Sequence, residues 1–222
     1  MVTLEKRALC ALLVLAALAV GCSSKPTLRD EIAQEDLNLG LSLGAAVDEQ
    51  TARSALESLD SRVEPYQAPR QAKGSPDLHS FRVGDALDIC LLVGADGLLS
   101  GIAVMPVFEI KTDLPPGLTD VTWDKFNKEV IAAARSEKVQ RFDLATKRGV
   151  GLGSGRLKVL AEYGPPDDET NSSGASYMVY GDEDMGIRFM LLNSVVATIQ
   201  IGNRSLYRSV HDEFPSFILA LG

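Results

Sequence analysis

A chain of 222 residues with 22 Lys and Arg against 30 Asp and Glu carries a formal net charge of −8. Such acidity disfavours nucleic acid and anionic lipid as electrostatic partners. With 45% hydrophobic residues, the chain is long enough to bury a real core in one or two small domains.

At the N-terminus, Lys6 and Arg7 precede an uncharged run from Ala8 to Val20 that ends in Gly21-Cys22. A charged start, an apolar middle and a small-residue finish read as a signal peptide over 1–21. The run is shorter than the ~20 apolar residues of a membrane-spanning helix and stops at small residues rather than at a basic signal. Leu18-Ala19-Val20-Gly21-Cys22 resembles a lipobox, and Ser23-Ser24-Lys25-Pro26 follows as a tether, giving a lipidated segment over 22–36. The resemblance implies cleavage before Cys22, a lipid on the Cys22 thiol, and the membrane as a partner through that lipid. Ser23 after the cysteine, by resemblance to lipoprotein sorting, implies an outer-membrane protein facing the periplasm. Loss of residues 1–21 removes Glu5, Lys6 and Arg7, which moves the formal charge from −8 to −9. Cys10 leaves with the signal and Cys22 is consumed, so Cys90 stands alone and no intramolecular disulfide is expected. It sits in the strand-like run Leu87 to Val93 and is expected to be a buried, inert thiol.

The rest of the chain repeats one succession of elements around the Pro/Gly-rich break Lys111 to Gly117. In the first unit, 37–110, Leu37, Leu39, Leu41 and Leu43 alternate with polar or glycine residues. Asp48 then caps a helix whose apolar face is Ala52, Ala55, Leu56 and Leu59, with Pro65 as its stop. Phe81-Arg82-Val83-Gly84 and Leu87 to Val93 follow, then the turn Gly94-Ala95-Asp96-Gly97 and a strand Leu98 to Val104. Asp-Gly between apolar runs is a hairpin signal. The region 111–148 carries a linker and an amphipathic helix over 122–137, with Trp123, Phe126, Val130 and Ala133 or Ala134 at helical spacing.

In the second unit, 149–222, Val150 to Gly153 leads into a helix capped by Ser154, with Leu157, Leu160 and Ala161 on one face and Gly164-Pro165-Pro166 as its stop. Tyr177 to Gly181, Ile187 to Leu192, the turn Asn193-Ser194 and Val195 to Ile201 complete it. Phe81 to Asp85 answers Met178 to Asp182, and Gly101 to Val104 answers Thr198 to Ile201, both 97 residues apart. The matching offsets point to an internal duplication. The final run Phe214 to Leu221 is too short to span a bilayer and is expected to pack against the sheet.

The candidate chemical motifs fail on spacing. Gly149, Gly151, Gly153 and Gly155 precede a helix, yet neither the dinucleotide fingerprint nor the P-loop can be laid on them, which leaves a flexible lead-in to a helix. Ser154 lacks the flanking glycines of a nucleophile elbow, since Leu152 and Arg156 hold those positions. His79 and His211 have no ligand partner at zinc spacing. Asp167-Asp168-Glu169 and Asp182-Glu183-Asp184 could collect calcium, but neither matches an EF-hand loop. No catalytic, metal or cofactor residue is assigned, and no cofactor is expected.

The segment Gly153-Ser154-Gly155-Arg156-Leu157-Lys158-Val159-Leu160-Ala161-Glu162-Tyr163-Gly164-Pro165-Pro166-Asp167 resembles the small outer-membrane lipoproteins of the SmpA/OmlA type and the related β-lactamase-inhibitor-like fold. In those proteins a glycine opens a helix ending in Gly-x-Pro. An aromatic strand, here similar to Tyr177 to Tyr180, and a hairpin like Ile187 to Ile201 come next. The first unit shares the hairpin, with Ala95-Asp96-Gly97-Leu98 at its turn, but lacks the Gly-x-Pro ending. The resemblance implies a non-enzymatic envelope module that binds another envelope protein or assists assembly. The alternatives are a small-ligand or calcium sensor using the acidic loop 167–184, and an envelope hydrolase.

The fold expected is therefore α+β, with two helix-plus-antiparallel-sheet units in tandem. In the last hairpin, Ile187, Phe189 and Leu191 alternate with Arg188, Met190 and Leu192, so both faces are apolar. The face bearing Met190 and Leu192 is expected to be covered, by the other unit's sheet or by a partner, with the intramolecular cover favoured.

Overall fold

The computed structural model describes residues 27–66, 77–108, 120–172, 174–182 and 185–203. The signal segment, Cys22, the Lys111 to Gly117 break, His211 and the Phe214 to Leu221 run lie outside them. No helix among the described residues is long and apolar enough to cross a membrane.

In chain order the elements are α1 (Leu28–Ala33), α2 (Glu49–Glu57), β1 (Val63–Tyr66), β2 (Asp77–Val83), β3 (Leu87–Val93) and β4 (Leu99–Pro106), then α3 (Asp120–Ala134), α4 (Glu137–Gln140), α5 (Arg156–Tyr163), β5 (Asp168–Ser172), β6 (Ala175–Gly181), β7 (Gly186–Leu192) and β8 (Val195–Gly202). The fold is α+β. Among the described residues eight strands form one antiparallel sheet in the order β1-β2-β3-β4-β8-β7-β6-β5. The two four-strand runs thus meet edge to edge along β4 and β8, where Ile102 pairs with Ile201, Ala103 with Gln200 and Val104 with Ile199.

Side chains alternate along a strand, so the sheet has two faces. On one, Phe81, Ile89 and Ile102 continue into Ile199, Phe189 and Met178 as a single core. It is closed by α1, α2, α5 and the loops that carry Leu37 to Val47 and Leu144 to Leu152. On the other face α3 lies across β4 and β8. There Phe126 and Val130 pack with Met190, Leu192, Ala175 and Ala197, and Phe108 meets Phe126 edge-on at 5.3 Å. The double-sided apolar pattern of β7 therefore has an intramolecular cause. The cover over Met190 and Leu192 is α3, however, not the other unit's sheet and not a partner.

Several local expectations hold. Asp48 caps α2 by accepting the Thr51 amide at 2.7 Å, and Ala52 and Leu56 are fully buried. The turn Gly94 to Gly97 closes the β3–β4 hairpin, with Gly97 at φ +76° and Asp96 accepting the Leu98 amide. Asn193 and Ser194 both take positive φ, +46° and +64°, the backbone a two-residue hairpin turn requires.

Others are corrected. Leu37, Leu39 and Leu41 are buried, but they sit in turns rather than in a regular element. The α2 helix ends at Glu57 with Ser58 as its cap, and Pro65 lies inside β1, where an edge strand tolerates its missing donor. The helix expected over 122–137 divides. It stops at Ala134, because the Ser136 backbone is extended and its hydroxyl caps α4 instead. Gly155, not Ser154, is the N-cap of α5. That helix buries Val159, with Leu160 and Tyr163 partly buried against the core, while Leu157 is 82% exposed and Ala161 is exposed.

The lead-in to each half docks on its own last hairpin in the same way. Gly44 N–H donates to Leu99 O at 2.7 Å and Leu99 N–H to Ala45 O at 2.8 Å. In the second half Gly153 N–H donates to Val196 O and Val196 N–H to Ser154 O, each at 2.8 Å. Gly44 and Gly153 share φ +80°.

Candidate functional site

An open pocket of about 140 Å³ lies among α4, the glycine run and the start of α5. Gln140, Asp143, Gly149, Gly151, Ser154 and Lys158 contribute to its wall. An anion site here would need free amides pointing at it. Instead Gly149 N–H donates to Thr146 O, Val150 N–H to Thr146 Oγ1 and Gly151 N–H to Ser154 Oγ, while the amides of Gly153 and Arg156 donate to Val196 O and Ser194 O. The glycines serve the backbone. Gly149 and Gly153 hold positive φ, and a Cβ on Gly151 would meet Leu144 O at 2.7 Å. Ser154 accepts an amide and so braces the loop. Gln140 Nε2 ties the pocket floor together, donating to Ala134 O and Leu152 O at 2.7 and 2.9 Å.

A polar network behind α1 escaped the sequence reading. Glu35, buried, accepts the amides of Leu37 at 3.0 Å and Lys147 at 2.7 Å. Arg148 pairs with Glu31 at 2.6 Å, donates to Glu162 O and lies over the Tyr163 ring at 4.9 Å. Burial pushes the Tyr163 hydroxyl up to about 12. Glu31 and Arg148 lie too far apart in sequence for any local motif to have marked them. Between α3 and the sheet, Asn127 Oδ1 and Thr198 Oγ1 are buried without a hydrogen-bond partner among the described residues. Oxygens so placed are ordinarily satisfied by an ordered water. Nearby, Arg188 stacks over the Tyr177 ring at 4.1 Å.

The acidic segments are tied into the fold, and the first is not a loop, since Asp168 and Glu169 open β5. Asp167 accepts the Gly181 amide at 2.8 Å. Glu169 takes two bonds from Arg156 at 3.1 Å and one from Ser176. Asp182 pairs with Arg29 at 2.8 Å and accepts the Met185 amide; Glu183 and Asp184 lie outside the described residues. Among the described residues no three His, Cys, Asp or Glu converge as metal ligands would. His79 lies on β2. Cys90 accepts a hydrogen bond from Ser80 at 3.3 Å, and burial pushes its thiol up to about 11, which suppresses the reactive thiolate.

No protein-family model matches the chain, and no curated protein matches it. Among solved structures it is similar to a DUF4309 family protein (YjgB) from Bacillus subtilis. The match has 12% identity, spans 78% of this chain and 90% of that one, and reaches a TM-score of 0.43. A likeness this remote transfers neither an activity nor a ligand.

Proposed function

We propose that the chain is a lipid-anchored envelope protein, held by a lipid on Cys22, that acts as a non-enzymatic protein-binding or assembly-accessory module. The observation that carries the anchor is the run Ala8 to Val20 ending in Leu18-Ala19-Val20-Gly21-Cys22, with a short tether before the first helix. For the module, the support is that Glu35, Asp167, Glu169 and Asp182, which could do chemistry, are each engaged in bonds that hold the fold.

The duplication belongs to the same proposal. Two units of one ancestral plan, joined through 111–148, account for the mirrored strand order and the matched lead-in bonds. Cys22→Ala should abolish acylation and leave the protein uncleaved or soluble, whereas Cys10→Ala should change nothing. Normal lipid labelling of the Cys22→Ala protein would overturn the anchor. Affinity capture from native membranes tests the module, and turnover on a hydrolase panel would refute it.

A further inference from the structure

We propose that in the acylated protein the sheet end carrying Asp182 and the β3–β4 turn faces the bilayer, while the end carrying Leu157 points away from it. This orientation rests on the lipid-anchor reading above.

The geometry begins at Thr27, whose hydroxyl accepts the Asp30 amide and so fixes the first turn of α1. That helix is docked rather than free. Ile32 is buried in the main core, and α1 packs on β6, β7 and β8. Arg29 reaches Asp182 at 2.8 Å, in the β6–β7 turn. Gly186 pairs with Gly202 and Gly202 with Gly101, so this turn, the end of β8 and the β3–β4 turn share one end of the sheet. Arg156 N–H donates to Ser194 O, which places the start of α5 at the other end.

Covalent length then limits the reach. Five Cα-to-Cα steps link Cys22 to Thr27, and an extended chain spans at most about 3.5 Å per step, so the lipid-bearing residue lies within about 18 Å of the docked helix. The seven residues of β7 put the opposite turn roughly 24 Å further along the sheet. Charge argues against the protein lying flat on an anionic surface by that end, since Asp30, Asp48, Asp96 and Asp182 all lie there and Arg29 is paired to Asp182. The acyl chains make the contact, and the tether sets which end is near.

The test uses the full acylated protein in phosphatidylethanolamine and phosphatidylglycerol vesicles with a nitroxide quencher on the lipid headgroup. A fluorophore is placed on Ala95→Cys or on Leu157→Cys, both exposed. Both labels are placed on a Cys90→Ala background, because Cys90 is partly exposed. The Ala95→Cys label should be quenched several-fold more strongly than the Leu157→Cys label. A Gly/Ser spacer of about 20 residues between Cys22 and Thr27 should erase the difference, because a flexible linker of that length no longer restricts which end approaches. Equal or inverted quenching without the spacer overturns the orientation, and a difference that survives the spacer overturns the short tether as its cause; either result leaves the anchor standing. A protein whose intact mass shows no acyl chains overturns both.

Discussion

Ala103 of β4 and Gln200 of β8 face each other across the ladder that joins the two halves of the sheet, and they are 97 residues apart. The same interval separates Ile102 from Ile199 and Val104 from Ile201, and those residues pair crosswise. The Ala103–Gln200 pair therefore marks a local two-fold axis. The ends of the sheet obey it too: Arg29 of α1 pairs with Asp182, and Lys138 of α4 pairs with Asp85, again 97 residues before. An ion pair thus ties each four-strand run to a helix that precedes the other run in the chain.

The two ion pairs made by α1, Arg29–Asp182 and Glu31–Arg148, differ in what their loss should cost. Arg29 and Asp182 are both about half exposed, so Arg29→Ala should lower stability by only ~0.5 kcal/mol. Arg148→Ala removes a part-buried partner of Glu31 and a cation stacked on Tyr163, which should cost about 1–2 kcal/mol. Urea melts of the two variants give the order directly, and an equal loss would show that the Arg148 network contributes no more than a surface pair.

Met190 is 7% exposed beneath α3, among Phe126, Val130 and Leu192. A carboxylate there would sit among apolar side chains, with Arg188, two residues along the same face, already stacked on Tyr177, so Met190→Asp should cost about 3–5 kcal/mol and lower the melting temperature sharply. Met190→Leu keeps the volume and should cost under about 1.5 kcal/mol. A thermal melt unchanged by the aspartate would mean that α3 does not cover β7 in solution.

Ser194 occupies a left-handed conformation at φ +64° with its side chain exposed. That conformation costs a non-glycine residue about 1–2 kcal/mol, against the ~0.5–1 kcal/mol of extra chain entropy that a glycine loses on folding. Ser194→Gly should therefore stabilise by roughly 0.5–1 kcal/mol. Asn193→Gly should gain less, because asparagine tolerates the left-handed region. A lower melting temperature for Ser194→Gly would contradict the turn assignment.

What the sequence disclosed follows the range of the forces involved. The strands on either side of Gly94 to Gly97 and Asn193-Ser194 were legible because alternation and turn chemistry act within a few residues. The 97-residue offset was legible for the same reason, since it rests on two such hairpins. The crosswise helices were not, as Arg29 and Asp182 are 153 positions apart and no local pattern links them. Leu157 misled because helical spacing tells which residues share a face, not whether that face meets the sheet. Of the candidate site, the spacing of Gly149 to Gly155 argued against a phosphate loop, but the bonds that engage its amides run to Thr146, Ser154, Val196 and Ser194, which spacing alone does not disclose. Glu35 and Arg148 gave no signal at all, because buried polar pairs are set by tertiary packing.

Asp60 supplies the acid dependence. It accepts the Arg62 amide and guanidinium and, at 2.8 Å, the guanidinium of Arg141 from the segment after α4. The hydrogen bonds to Arg62 hold its carboxyl well below the usual range, at about 2. The lysine clamp lowers Asp85 in the same direction, and the helix-cap bond lowers Asp48. A carboxylate whose folded value is depressed stabilises the fold above its unfolded value, near 3.9, and that contribution is lost as pH falls through the folded value. Stability should therefore be level from neutral pH to about 5 and decline between about 4 and 2. Asp60→Asn should be less stable than the wild type at pH 7, should lose less on acidification, and should converge with it near pH 2. Urea midpoints measured across that interval decide the matter, and parallel pH curves for the two proteins would show that the Arg62 and Arg141 contacts contribute nothing to the fold.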